Sequence, residues 1–417
     1  MLLQVRRIPL RLSDIGKKTD LALISCALLL SLIGIGLIYS TGHGPLSAAR
    51  SSLYLKQIAW LGAGILLLSA AAALPLRFYD ALAKFVYVAS ILLLVAVLAF
   101  GEVRLGARRW FQIGNFLFQP SEFAKIALIL VLARILANRR VDWTRFGSLT
   151  IPVALTLIPT ALIIKQPDLG TAISFIAILF GMLYWAGVPA INLAVLLLPL
   201  ASMLCSFWWW IWLVFFVVQW LVLHYSTLSF VHSVFVMIGT SVVGGGAHEV
   251  WNKLEYYQKE RIIAFLSTGA NRLGAGYQTV QSKIAVGSGA VFGKGFLKGT
   301  QKSLSFLPQQ HTDFIFAVLG EEFGFVGCCL VVFLYATIIW KGISIAVRTR
   351  SRFGSLMCVG IVSILLYHGA INMLMTLGLA PVTGVPLPFL SYGGSALVVS
   401  LTVVGVMAGI AGKVYEY

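Results

Sequence analysis

The sequence predicts an all-α, polytopic integral membrane protein, and three observations carry that prediction. Of 417 residues, 59% are hydrophobic and 11% are charged, more apolar surface than a soluble fold of this length can cover. Apolar runs of about 20 residues, the thickness of a bilayer core, recur along the chain. The runs are continuous rather than alternating, so they read as helices and not as strands of a closed barrel. The expected architecture is a single membrane domain over 1–417, a bundle of about ten transmembrane helices, or twelve with a Trp-rich insertion.

The stretch 1–20 carries Arg6, Arg7, Arg11, Lys17 and Lys18 against Asp14 and Asp20, which assigns it to the cytoplasm. The first apolar run is too long for the core of a cleavable leader and is expected to stay as a span. Runs follow at 21–40, 55–74, 80–100, 119–138, 147–165 and 169–187. Arg77 and Lys84 follow the second run, and Arg139, Arg140 and Arg145 the fourth. Lys341, Arg348, Arg350 and Arg352 separate two later spans. All these loops read as cytoplasmic, which agrees with a cytoplasmic N-terminus.

Region 189–247 holds Trp208, Trp209, Trp210, Trp212 and Trp220 and almost no charge. Parity requires an odd number of crossings there, and the length favours three short ones over one irregular span. Its tryptophans read as an interfacial belt, the alternative being a partner-binding surface. The long loop 248–311 comes next, with Lys253, Lys259, Arg261, Arg272, Lys283, Lys294, Lys298 and Lys302 against Glu249, Glu255 and Glu260. By parity it lies outside, as does the short loop bearing Arg104, Arg108 and Arg109 against Glu102. Long loops translocate whatever their charge, but the short one breaks the positive-inside rule and suggests an anionic ligand at the outer face. The net charge of +17 is partly topogenic and requires no nucleic acid. Cys26, Cys205, Cys328, Cys329 and Cys358 all lie in apolar runs and read as packing residues.

Four polar clusters share the outer face. In 104–125, Pro120 suits a first helical position, and Glu122 and Lys125 form an i,i+3 pair. That pair either neutralises itself or joins Arg109 in a phosphate site, since guanidinium and ammonium groups suit diphosphate oxygens. In 165–171, Lys165 and Asp168 flank a Pro and Gly turn, as a local ion pair or as site residues. The Gly-rich stretch 274–302 lets backbone amides approach an anion, with Gln281 and Lys283 as further donors, and it holds no Walker motif. The stretch 381–395, with Pro381, Pro386, Pro388 and Ser391, reads as a broken helix lining a cavity.

The segment 307–322 organises the rest. It sets His311, Thr312 and Asp313 before an apolar run that contains Glu321 and Glu322. Acids in a span should face protein or water. With a helix starting near Thr312, Glu321 falls about 80° around and roughly 12 Å deeper than Asp313, so the two could line one cleft. The plainer reading is that Thr312 and Asp313 cap the helix. Asp313, Glu321 and Glu322 could also hold a divalent cation, Mg or Mn, though no spacing demands it.

Together these clusters resemble the SEDS family, which includes RodA and FtsW. The resemblance rests on Gly106-Ala107-Arg108-Arg109-Trp110, Gln119-Pro120-Ser121-Glu122, Gln166 to Thr171, His311 to Phe316, and Pro388 to Gly394. Gln281-Ser282-Lys283, Gly293-Lys294-Gly295 and Gly299-Thr300-Gln301 look like the elongation members of the family. The Trp-rich region departs from the usual ten-span pattern. The resemblance implies a peptidoglycan glycosyltransferase of the bacterial cytoplasmic membrane that polymerises lipid II on the extracytoplasmic face. It implies Asp313 as catalytic base and Arg109, Glu122, Lys125, Gln281 and Lys283 in the substrate cavity; the polar clusters themselves add His311, Glu321, Lys165, Asp168 and Ser391 as further site candidates. It also implies a class B penicillin-binding protein as partner, with other elongation-complex proteins. In that chemistry a base takes the acceptor hydroxyl's proton and cations stabilise the departing diphosphate, while Glu321 would raise the Asp313 pKa by like-charge repulsion. A lipid-precursor flippase would use the same broken helices and buried acids, and a non-catalytic scaffold would use the Trp-rich surface.

Overall fold

In the computed structural model, residues 16–43, 52–104, 107–114, 116–226, 228–254, 259–260, 263, 265, 276–300 and 309–412 are described. Arg6, Arg7, Arg11 and Asp14, and Gly106, Glu255, Arg261, Arg272, Gly274, Gln301 and Lys302 of the outer clusters, lie outside them.

Six helices follow the first six apolar runs to within a few residues: α1 (Gly16–Gly42), α2 (Leu53–Ala73), α3 (Leu76–Phe100), α4 (Pro120–Leu136), α5 (Thr150–Lys165) and α6 (Leu169–Ala186). Then come α7 (Ala190–Cys205), α8 (Trp209–Tyr225), α9 (Phe230–Gly245), α10 (Ala247–Lys253), α11 (Tyr277–Ser288), α12 (Ile315–Arg348), α13 (Arg352–Thr376) and α14 (Gly394–Gly412). Among the described residues, nine helical stretches are long and apolar enough to cross a bilayer, so the chain is a multi-pass, all-α membrane protein. Helices α4 and α13 are buried on nearly every side, and α6, α12 and α14 pack around them with α1–α3. The core runs through Leu128, Phe175, Met357, Leu401 and Leu23.

The Trp-rich region forms three helices, as its length suggests. Helices α7, α8 and α9 close a core of their own on Val195, Leu198, Phe215 and Leu223. A polar clamp ties the three together. Gln219 Nε2 donates to Thr240 Oγ1 at 2.7 Å, Ser202 Oγ to the Thr240 carbonyl at 2.7 Å, and Trp212 Nε1 to Ser202 Oγ at 3.0 Å. Such contacts drive helix association where hydrocarbon gives no hydrophobic push. Trp208, Trp209, Trp210 and Trp220 remain exposed on the outside of this unit.

Two features went unread in the sequence. Between α3 and α4 the chain forms a three-stranded antiparallel sheet, β1 (Glu102–Arg104), β2 (Ala107–Ile113) and β3 (Phe116–Phe118), with Trp110 opposite Glu102 and Phe111 opposite Phe118. Strands β1 and β3 are only three residues long, and in β2 the pairs Arg108-Arg109 and Trp110-Phe111 break the alternation that would mark a strand. The second feature is a break in α12 at Gly324, whose φ of 63° and ψ of −159° only glycine takes readily. The break frees backbone groups on both sides, and the segment 290–295 satisfies them. Phe325 and Val326 N–H donate to the carbonyls of Ala290 (2.9 Å) and Val291 (3.1 Å). Lys294 and Gly295 N–H donate to those of Glu321 (3.0 Å) and Glu322 (3.0 Å). A broken helix survives at membrane depth only when its orphaned groups are paired in this way.

The start of α12 corrects the sequence reading. The helix begins at Ile315, not near Thr312, and its N-cap residue is Phe314, with no side-chain cap. Thr312 and Asp313 therefore lie before the helix rather than in its first turn, and the rotation that related Asp313 to Glu321 does not apply. The stretch between α13 and α14 is irregular, as its prolines suggest.

A Cβ on Gly324 would lie 2.4 Å from the Gly293 nitrogen, whereas one on Gly62 of α2 meets nothing within 4 Å. Gly324→Ala is therefore expected to destabilise the detergent-solubilised protein by about 1–3 kcal/mol. Gly62→Ala should be neutral or slightly stabilising. Thermal unfolding of the two variants side by side checks both.

Candidate active site

The segment 309–314 is a tight turn whose backbone is held by two other parts of the fold. The His311 carbonyl accepts from Tyr392 N–H at 2.8 Å, that of Thr312 from Ser391 Oγ at 2.6 Å, and that of Asp313 from Asn372 Nδ2 at 2.9 Å. Three successive carbonyls are thus fixed, and the half-buried Asp313 side chain leaves from a rigid backbone. The loop that supplies Ser391 and Tyr392 is itself anchored. Gln57 Nε2 donates to the Ser391 carbonyl at 3.2 Å, Asn372 Nδ2 to that of Val385 at 2.8 Å, and Tyr335 Oη to that of Pro388. Gln309 (φ 55°) and Phe389 (φ 68°) are non-glycine residues in the left-handed region, one in each of the joined segments. Strain of this kind, on the order of 1–3 kcal/mol per residue, gathers at functional sites.

Below the turn, Lys125 Nζ lies 2.7 Å from Glu122 Oε1 and 3.3 Å from His368 Nε2, all three side chains buried. An ammonium only donates, so the imidazole accepts through Nε2 and carries its proton on Nδ1. A narrow cavity of about 30 Å³ touches this group and runs along Pro388 and Ser400. His368 and Asn372 are i,i+4 on α13, one turn or about 6 Å apart, and so link the Lys125 pair to the Asp313 turn. One further turn along, the Thr376 carbonyl accepts from Ser282 Oγ at 2.7 Å and brings in α11. Phe314, Ala285 and Met375 pack in a small core at this junction. Neighbouring Gln281 is half-buried and Lys283 exposed. The Lys283 chain crosses Gly378, where a Cβ would lie 2.0 Å from Lys283 Cε. Glycine is required there, since its φ is +69° as well.

Other predicted residues serve the frame. Arg109 on β2 donates through Nε to the Gln166 carbonyl at 2.9 Å and through Nη2 to that of Pro167, with Asp168 Oδ2 3.7 Å from Nη1. Asp168 also caps α6 through Thr171 N–H at 3.2 Å. It therefore pairs with Arg109 rather than with Lys165, which is exposed at the end of α5. The His311 ring lies 5.8 Å from that of Tyr392. Glu321 is 1% exposed, and its Oε1 accepts from Lys294 Nζ (2.8 Å), Thr300 N–H (2.8 Å) and Thr300 Oγ1 (3.1 Å). Glu322 turns to Ser40 Oγ at 2.5 Å. The two glutamates thus diverge, and among the described residues no group of three or more His, Cys, Asp or Glu gathers to hold a metal ion. The donor set considered for Mg or Mn does not fit. His368, Asn372 and Gln57 escaped the sequence reading, although a polar i,i+4 pair inside a span is a signal that could have found the first two.

The family described as Cell cycle protein, the FtsW, RodA and SpoVE group, matches residues 20–214 and 210–416. Peptidoglycan glycosyltransferase MrdB of Escherichia coli K12 is 37% identical over 85% of this chain and 84% of its own length. Peptidoglycan glycosyltransferase RodA of Treponema pallidum is 36% identical over 94% and 97%. Among solved structures, a chain from a peptidoglycan synthase complex that coordinates polymerisation and crosslinking superposes with a TM-score of 0.69 at 28% identity, covering 95% of this chain and 98% of that one. The rod shape determining protein RodA of Thermus thermophilus gives 0.62 at 25%, over 95% and 97%.

Because Lys294 neutralises Glu321, Glu321→Gln should lower stability by on the order of 1.5–3 kcal/mol, the range for hydrogen bonds to a charged group. It should leave the pH dependence of activity unmoved. Detergent thermal unfolding and a pH–rate series read the two effects separately.

Proposed function

We propose, from the premise that this chain belongs to the FtsW, RodA and SpoVE family and is a peptidoglycan glycosyltransferase, that it polymerises lipid II with Asp313 as the general base. The observation that carries this reading is the triple anchoring of the 311–313 carbonyls by Tyr392, Ser391 and Asn372. A base must hold its reach to the acceptor hydroxyl within a fraction of an ångström, and a rigid backbone supplies that at no cost during the reaction.

The departing diphosphate needs cations. Arg109 is engaged by three acceptors, and Lys125 is matched by Glu122, so neither offers a full uncompensated charge. Lys283 is exposed beside the same junction, on the helix joined to α13 by Ser282. We assign the principal contact with the leaving group to Lys283, with Gln281 beside it, and a positioning role to the Glu122–Lys125–His368 group. Arg109 and Asp168 then act by holding the hairpin against the turn before α6.

With a cytoplasmic N-terminus and twelve crossings, α4, α7 and α8 included, Asp313 comes to the extracytoplasmic face of the bacterial inner membrane. The basic segments 77–84 at the start of α3, 139–145 and 348–352 then fall inside, which supports that orientation. The solved chain from the synthase complex supports a transpeptidase partner, which we take to be a class B penicillin-binding protein.

Asp313→Asn is expected to abolish glycan polymer on a gel with fluorescent lipid II, for protein reconstituted with its transpeptidase, while lipid II binding persists. Equal polymer from both proteins would reject Asp313 as base. His368→Leu takes an acceptor from the buried Lys125 ammonium and should cost about ten-fold or more in polymerisation rate. His368→Gln keeps an acceptor and should restore most of it; failure of the rescue would leave His368 a packing residue only.

A further inference from the structure

On the membrane face opposite Asp313, an open pocket of about 690 Å³ lies where the ends of α4, α6, α12 and α13 meet. Arg139, Arg350 and Arg352 line it with Trp185, Val347 and Ser355. Among the described residues, no carboxylate lies within ion-pair distance of any of the three guanidinium groups. By contrast, Arg145 pairs with Asp142 at 3.3 Å and Arg134 with Asp80 at 3.7 Å in the same region. Topogenic arginines need only lie on the correct side. These three also converge on one concavity.

The pocket has a built wall. Trp185 Nε1 donates to Ser355 Oγ at 2.9 Å, and Ser355 Oγ donates to the Ala346 carbonyl at 2.6 Å. Arg352 Nη2 reaches the Ala186 carbonyl at 3.3 Å, at the C-terminal end of α6. Exposed Val347 of α12 is part of the lining, and two further exposed apolar side chains stand next to lining residues along their helices, Ile343 one turn before Val347 and Tyr184 beside Trp185 on α6. A soluble anion would need the guanidinium groups but not that wall. A lipid phosphate with acyl chains needs both, and basic pockets between helix ends at this level suit anionic headgroups.

We propose that this pocket is a binding site for an anionic phospholipid, its phosphate held by Arg139, Arg350 and Arg352 and its chains lying along α6 and α12. Its assignment to the cytoplasmic leaflet rests on the orientation proposed above. The site itself does not, because α12 alone separates it from Asp313. Occupancy would clamp the α12–α13 turn to α4 and α6, and so brace the outer ends of the helices that carry the active-site turn.

The test uses the full chain, stripped of lipid in neutral detergent and titrated with phosphatidylglycerol or phosphatidylcholine, with retained lipid counted by native mass spectrometry. Phosphatidylglycerol is expected to bind about ten-fold more tightly or better, and Arg139→Gln, Arg350→Gln and Arg352→Gln together to remove that preference. Val347→Glu sets a carboxylate at the rim, keeps every topogenic cation and should also remove it. Arg140→Gln with Arg145→Gln, outside the pocket, should change it less than about two-fold. Equal loss in that control would reduce the effect to bulk surface charge and overturn the site. Displacement of the lipid by excess inorganic phosphate would overturn a lipid in favour of a soluble anion. Stronger competition by lipid II would overturn it in favour of precursor capture. Lipid counting needs no turnover, so its failure is distinct from a failure of the polymerase reading.

Discussion

One buried polar stripe on α13 holds the proposed site together. His368, Asn372 and Thr376 succeed one another at one-turn intervals, each at most 5% exposed. His368 meets Lys125 of α4, Asn372 meets the Asp313 carbonyl, and the Thr376 carbonyl meets Ser282 of α11. In hydrocarbon each of these groups would be costly alone, so each must find its partner for the bundle to close. The requirement fixes the register of α13 against three elements far apart in sequence. Tyr367, on the neighbouring face, adds a fourth through its hydroxyl to the Gly170 carbonyl at 2.9 Å.

The same accounting explains the broken helix. Gly324 interrupts α12, and the freed carbonyls and N–H groups are taken by residues 290–295. Glu321 closes the arrangement by accepting from Lys294 and Thr300. The segment leading away from α11 is therefore tied to α12 through main chain and side chain alike. The Glu321 carboxylate thus has a scaffolding role at this junction through Oε1.

The bundle was legible because hydropathy and charged loops depend only on local composition, and the first six spans agree with the helices to within a few residues. Asp313 and Ser391 were legible as candidates because polar residues at the edge of apolar runs are conspicuous. Partnerships were not. Nothing local indicates that Asp168 pairs with Arg109, 59 positions away, rather than with Lys165, or that Glu321 belongs to Lys294. The start of α12 was misread because Thr312 and Asp313 look like capping residues, while their carbonyls are claimed by Ser391 and Asn372 instead. Long-range contacts of that kind override local propensity.

These pairings also change what the outer cations can do. A charge held by a buried carboxylate presents mostly a dipole to a ligand, so its attraction for a diphosphate falls off steeply with distance. Glu122 compensates Lys125, Asp168 stands beside Arg109, and Glu321 compensates Lys294. Three of the cations read from sequence as a ligand field are thus engaged in building the scaffold. In the assignment proposed above, the contact with the leaving group falls to exposed Lys283, which crosses Gly378 on a helix fixed by Ser282. An exposed ammonium suits a polymerase that must release a diphosphate after every addition. A fully formed cage of fixed cations would bind the leaving group as tightly as the transition state and slow each cycle.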